Sequence, residues 1–347
     1  MSDLRFAMFG AGWFARFQLA AWGEVEGARC VALYNRTRSK GEALAREFGV
    51  PRVYDDPEAL LDGERLDFVD IVTHPDTHGQ FVRQAAARGL AVICQKPMAS
   101  TLAEAEGMVE ACRKAGVPYF VHENWRWQTP MRHLKRLLDE GSIGTPFRAR
   151  IDMVSGYPPF DDQPYLRELE QFVLTDMGSH ILDVARWLFG EAEGLSCRTD
   201  RIHTDIRGED VATVMLRMGG RTTVVCNMGY PEHHLEHDRF LETYVFIEGT
   251  KGSVELGPDY WIRVTTESGT HSRRYPPPTY AWSAPPQDLV DSSIVDCHAN
   301  ILRALQGGPP AETTGEDNIK TVRLVFAAYD SAASGDTVHF SGTGGRR

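Results

Sequence analysis

The stretch RFAMFGAGWFA constrains this chain more than any other, because an apolar run of strand character ends on Gly10 and Gly12 and passes at once into a helical pattern. In the order G-x-G-x-x-A, Gly10 permits a tight turn, Gly12 lets backbone approach a pyrophosphate, and Ala15 lets the next helix pack closely. The N-terminus of that helix, beginning with Trp13 and Phe14, attracts phosphate charge. Up to about residue 122, short β-rich runs (CVALY, FVDIVT, AVIC, PYFVH) alternate with amphipathic segments such as PDTHGQFVRQAAARG and TLAEAEGMVEACRKAG. Apolar strands separated by helices imply a parallel sheet covered on both faces, so residues 1–122 are expected to form a doubly wound α/β domain that binds a nicotinamide dinucleotide.

From about residue 145 the pattern changes to strand-like runs punctuated by turns: PFRARIDMVSG, DVATVMLRMG, RTTVVCNMG, FLETYVFIEG and GSVELG. A second domain of α+β type over residues 123–347 follows, with a large, mostly antiparallel sheet and helices from LTDMGSHILDVARWLFG, IVDCHANILRALQG and GEDNIKTVRLVFAAYDSAASG. A chain of 347 residues is long enough for two such domains. Its net charge of −11, with no basic run, disfavours a nucleic-acid partner. No apolar stretch approaches the roughly 20 residues of a bilayer span, and no leader pattern precedes the first strand. The six cysteines are widely spaced, several in strand-like runs where thiols act as small core residues. The expectation is a cytoplasmic, reduced protein.

Where an NAD enzyme places an acid after its second strand, this chain has Asn35 and then Arg36. Asn35 can bond a ribose hydroxyl without repelling phosphate, and Arg36 can pair with a 2′-phosphate, so the cofactor preference leans toward NADP over NAD. In ICQKPMAS, Lys96 should emerge at the carboxyl edge of the sheet, where ligands of open α/β folds bind. In LTDMGSHILDVARWLFG, Asp176, His180 and Asp183 share one flank of a helix whose other positions are apolar. They either cap and solvate that helix or do chemistry.

Taken together, GAGWFA, THPDTH, QKP, HENWRW and DMGSH, in that order, resemble the Gfo/Idh/MocA family of glucose-fructose oxidoreductases and inositol dehydrogenases. The likeness covers nearly the whole chain, including FIEGTKGSVEL and the GEDN helix. It implies a Rossmann cofactor domain, an open-faced sheet domain, and oxidation of a sugar or polyol hydroxyl with NAD or NADP. The family's lysine, acid and histidine that face substrate match Lys96, Asp176 and His180. The chemistry agrees: hydride loss from a carbinol needs a base for the hydroxyl proton, which His180 or Lys96 supplies, while Asp176 fixes the imidazole or holds a neighbouring hydroxyl.

The resemblance also implies that Thr73, His74 and His78 lie along the cofactor, although His74 interrupts the usual Thr-Pro. Gln95 replaces the acid that normally precedes the lysine, and as a neutral amide it can still bond the nicotinamide ribose. Asn124 and Arg126 are candidate substrate ligands, with Trp125 or Trp127 available to stack on a sugar. Tyr165, and Tyr157 with it, are candidates for the mouth of the site. The histidines of PEHHLEHD (His233, His234 and His237) lack partner cysteines and read as a polar loop, so no metal is expected. ICQKP and HENWRWQ are similar to apiose-type aldose dehydrogenases within the family, which points to oxidation at the anomeric carbon. The competing reading is a non-catalytic dinucleotide- or sugar-binding sensor of the same fold. An exposed sheet face would favour a homodimer or homotetramer assembled through it.

Overall fold

The computed structural model describes residues 3–157, 159–230 and 242–340. They form two compact units, one of Met1–Asn124 with Asp291–Val322 and the other of Trp125–Val290 with Arg323–Arg347. The first unit is built on a six-stranded sheet of β1 (Leu4–Phe9), β2 (Ala28–Tyr34), β3 (Val53–Tyr54), β4 (Phe68–Ile71), β5 (Ala91–Gln95) and β6 (Tyr119–His122). The strands are all parallel and ordered β3-β2-β1-β4-β5-β6. That order reverses between β1 and β4, the switch point where a doubly wound sheet opens a crevice at its carboxyl edge. Two-residue β3 is too short to carry an apolar pattern and is the strand that sequence reading misses.

Local chemistry sets the helix ends. The helix Leu102–Ala115 begins where Thr101 Oγ1 accepts from Glu104 N and ends at Gly116, whose φ of 67° suits glycine.

A single cut at residue 122 does not describe the division, because residues 291–322, expected in the second domain, return to the first unit. Val121 N donates to Thr313 O at 2.9 Å, and Phe120 bridges Thr314, so this returning segment covers the β6 edge. The helix Asp288–Leu305 brings buried His298 onto the Trp22 ring, centroid to centroid 3.9 Å.

The second unit holds a nine-stranded sheet made from β7 (Pro146–Val154), β8 (Ala192–Asp200), β9 (Val211–Met218), β10 (Thr223–Gly229), β11 (Tyr244–Gly249), β12 (Gly252–Gly257), β13 (Trp261–Thr266), β14 (Gly269–Arg274) and β15 (Val338–His339). Its order is β14-β13-β12-β11-β7-β10-β9-β8-β15, and every pairing is antiparallel except β7 with β10. Burial alternates strictly along β9: Ala212, Val214, Leu216 and Met218 face the core, whereas Thr213, Met215 and Arg217 are exposed. The covered face packs against the helix Gly178–Phe189, where Met228 Sδ lies 3.5 Å from the position a Cβ on Gly178 would take. Among the described residues, no helix is long and apolar enough to cross a membrane.

One buried acid in the first unit has a measurable consequence. Asp70, in the middle of β4, is fully buried and accepts from Trp22 Nε1 at 2.8 Å and from Gln18 Nε2 at 3.2 Å. Burial outweighs these bonds and lifts its pKa from 3.8 to about 7. Because the folded state keeps this proton to a higher pH than the unfolded chain does, the stability it contributes is present below about pH 4 and lost as pH rises toward 7. Gln18 Oε1 has no partner, so an Asn at position 70 finds an acceptor once the Gln18 amide turns over. Asp70→Asn is therefore expected to gain stability relative to the wild type as melts are moved from about pH 5 to about pH 8, and a pH-independent difference would contradict this account.

Candidate active site

In the first unit, the turn after β1 fits a dinucleotide phosphate. Gly10 has φ 113°, and a Cβ there would lie 2.5 Å from Val72 O, so the turn requires glycine. A Cβ on Gly12 would meet nothing within 4 Å, which leaves the space beside it open. The helix Trp13–Gly23 then begins with Gly12 as its N-cap, with no capping side chain and no acid in its first turn. Its first amides are available to an anion. Trp13 is 52% exposed at this end and packs edge-on against Phe17 at 4.8 Å, while Phe14 is half-buried.

Several residues expected to face the cofactor instead build the loops around it. Asn35 Oδ1 accepts from Ala11 N at 3.0 Å and its Nδ2 donates to Thr37 O at 2.8 Å, so this carboxamide pins the glycine turn to the end of β2. Arg36, next to it, is exposed. His78, expected along the cofactor, is fully buried, with its ring nitrogens 3.0 Å from Thr73 O and 3.2 Å from Pro97 O and Met98 O. It straps the exit of β4 to the turn that carries Lys96. Burial is the largest influence on its pKa and lowers it, while the three carbonyl oxygens around the ring act in the opposite sense.

Thr73 Oγ1 accepts from Thr77 Oγ1 at 2.8 Å. His74 is the N-cap of the helix Pro75–Ala87, with Pro75 in its first turn and Asp76 Oδ2 3.1 Å from His74 Nδ1. The interruption of Thr-Pro is thus absorbed by an ordinary helix start.

Gln95 is buried, with Oε1 accepting from Lys96 N at 2.8 Å and Nε2 lying 3.4 Å from His122 Nδ1. The side chain thereby supports the lysine's own backbone. Lys96 is half-buried at the carboxyl end of β5. Asn124, expected at the substrate, is 3% exposed and donates to Ser293 Oγ at 2.7 Å.

In the second unit, the single helix expected from Leu174 to Gly190 is two, Val173–Asp176 and Gly178–Phe189, joined at Met177. Neither Thr175 nor Asp176 caps it. The Glu209 carboxylate accepts from Phe172 N at 3.2 Å and Leu174 N at 3.0 Å, and also from the Tyr329 hydroxyl at 2.8 Å. Tyr329 in turn accepts from Thr175 N at 3.2 Å.

Half-buried Asp176 faces two phenols. Tyr230 OH lies 3.5 Å from its Oδ2 and 2.8 Å from Met177 Sδ. Burial, and then the Asp176 charge, hold Tyr230 well above its ordinary pKa, and the Asp176 charge acts on Tyr165 in the same direction. Tyr165 is 44% exposed.

His180 is 4% exposed, and its ring stacks on Trp125 at 4.1 Å and 23°. Arg126, expected to bind substrate, is buried with Nε and Nη2 donating to the two oxygens of Asp183 at 2.5 and 2.6 Å. Trp125, expected as a stacking surface for a sugar, is 3% exposed and gives one face of its indole to the His180 ring.

Sequence reading did not single out Glu209, Tyr230 or Tyr329. Tyr230 ends an apolar strand, which is the one local signal available; Glu209 and Tyr329 reach the site from a turn and a late helix. His233, His234 and His237 lie outside the described residues. No group of three or more potential metal ligands occurs among those described.

Comparison with known proteins agrees with this architecture. The profile described as "Oxidoreductase family, NAD-binding Rossmann fold" matches residues 4–123, and that of the "GFO/IDH/MocA C-terminal domain" matches residues 131–255. A D-apiose dehydrogenase of Paraburkholderia graminis is 41% identical over 332 residues, covering 96% of this chain and 88% of its own. One from Rhizobium rhizogenes is 39% identical over 97% of this chain and 98% of its own. The crystal structure of an oxidoreductase from Agrobacterium radiobacter, in complex with NAD+, L-tartaric acid and magnesium, superposes with a TM-score of 0.95 at 39% identity over 97% of this chain and 98% of that one.

The buried ion pair beneath the histidine can be tested directly. Asp183→Ala strands Arg126 as a buried charge and is expected to cost about 3–5 kcal/mol in urea unfolding. Arg126→Met combined with Asp183→Leu should recover much of that loss. Equal losses in the single and double variants would contradict the pairing.

Proposed function

Because the chain belongs to the Gfo/Idh/MocA oxidoreductases, with their NAD-binding Rossmann fold, we propose that it oxidises a sugar hydroxyl, at the anomeric carbon of an aldose such as D-apiose. The observation that carries this reading is the end-to-end 41% identity to a D-apiose dehydrogenase in a chain that retains Lys96, Asp176 and His180. The relatives reported above are enzymes by name, which favours catalysis over the sensor reading.

Gly10, Gly12, the first turn at Trp13 and Phe14, Thr73 and His74 would hold the dinucleotide, which when bound supplies the acceptor for the hydride. The residues of the chain handle the proton. His180 or Lys96 takes it from the reacting hydroxyl as its C–O bond gains carbonyl character, and the other hydrogen-bonds the same oxygen. Asp176 accepts a hydrogen bond from a neighbouring sugar hydroxyl, its direction set by Tyr230, while Tyr165 closes the rim. Loss of the second proton acceptor is expected to leave alkoxide character without stabilisation.

Arg36 is the residue we propose for a 2′-phosphate, since no carboxylate stands at the end of β2 to repel it. The open sheet face is proposed to join two or four copies. Met215 pairs with Val225 and Phe246 with Glu255 in neighbouring registers, and Met215 and Phe246 are 50% and 36% exposed.

Reduced-cofactor absorbance over a panel of aldoses, inositols and uronates should show turnover with D-apiose or a related aldose. Lys96→Ala and His180→Ala should each lower kcat by about 10²- to 10⁴-fold without loss of fold. Near-normal turnover in both would end the proposal. Arg36→Ala should raise KM for NADP and not for NAD; equal KM changes would refute the phosphate contact. A monomer mass in light scattering would reject the assembly.

A further inference from the structure

We propose that Trp125 is a positioning residue for His180, holding the plane of the imidazole in which it meets the sugar hydroxyl; this rests on the catalytic reading of His180 above. A histidine side chain on a helix has two soft torsions, and the helix backbone fixes neither of them. Here the indole of Trp125 lies flat against the ring, 4.1 Å away and inclined by 23°. Offset stacking of this kind resists rotation of either ring.

The indole is itself tethered at both ends. Its Nε1 donates to Thr243 Oγ1 at 2.9 Å, which fixes the far edge of the ring. Its neighbour Arg126 grips Asp183, three residues beyond His180 and so one turn further along the same helix. The short 3₁₀ turn Trp125–Trp127 is therefore attached to this helix twice, at the imidazole by a stack and one turn beyond it by a bidentate ion pair. One face of the indole is given to the imidazole and its Nε1 to Thr243, so Trp125 acts on the reaction through the histidine.

Misplacing a proton acceptor by a fraction of an ångström slows the chemical step more than it weakens binding. Trp125→Leu is accordingly expected to lower kcat by about 10- to 100-fold while KM for the aldose and for the cofactor change by less than about threefold. Trp125→Phe, which keeps a ring, should recover most of the loss, and Thr243→Val, which cuts the tether, should fall between.

The deciding measurement repeats Trp125→Leu and Thr243→Val in a His180→Ala background, where neither should reduce kcat further. Effects that multiply with His180→Ala, or a Trp125→Leu enzyme with wild-type kcat, would overturn the positioning role. His180→Ala with undiminished turnover would instead defeat the catalytic reading itself, and this inference with it. Melting by circular dichroism accompanies each variant. If Trp125→Leu does not fold, Thr243→Val and Trp125→Phe carry the same comparison.

Discussion

The ion pair of Arg126 and Asp183 is the interaction on which the second unit's arrangement depends. Both side chains are removed from water, at 5% and 0% exposure, so their attraction chiefly offsets desolvation and adds little net stability. What such a pair contributes is selection: only one register of the Trp125–Trp127 turn against the helix Gly178–Phe189 gives both carboxylate oxygens a donor. Arg186, 3.7 Å from Asp183 and bonded at 2.9 Å to Glu191, carries the network outward, and these four charges sum to zero. Three of these side chains are buried and the fourth, Glu191, is 58% exposed, so the network runs from the interior to solvent. His180 inherits its place from that restriction.

A related economy runs through the first unit. Loops at the carboxyl ends of parallel strands leave backbone groups outside the ladder, and those groups must find partners when buried. Asn35, His78, Gln95 and Asn124 supply them, each bonded within 3.4 Å to backbone or to another side chain. Residues whose polarity reads as ligand-binding in one dimension are therefore scaffold. Beside them, the indole of Trp13 is exposed and the helix it opens has no capping side chain.

Support for Asp176 comes from farther away along the chain. Glu209 stands between two strands and Tyr329 on the penultimate turns of the last long helix, yet together they satisfy the free amides at the start of Val173–Asp176. Tyr230, at the end of β10, faces the carboxylate directly. Three separate parts of the sequence thus set one acid, which ties its orientation to the integrity of the whole second sheet.

Periodicity and punctuation made the two architectures legible: apolar strands spaced by amphipathic helices up to residue 122, then short alternating runs, and a glycine pair where the first strand ends. These are local signals, because the 2.0 and 3.6 repeats and the steric demands of Gly10 arise among near neighbours. The candidates Lys96, Asp176 and His180 were singled out differently, by the joint order of several motifs that resembles the family and not by any one local pattern. Which protein partners the buried polar groups take was decided only by tertiary structure, as the bonds of Arg126 to Asp183, His78 to Thr73 and Asn124 to Ser293 demonstrate. The return of residues 291–322 to the first unit belongs to the same class. Hydrogen bonds and ion pairs between residues 57 or 169 positions apart are chosen by competition among all possible partners once the core has formed, and no short window of sequence contains that competition.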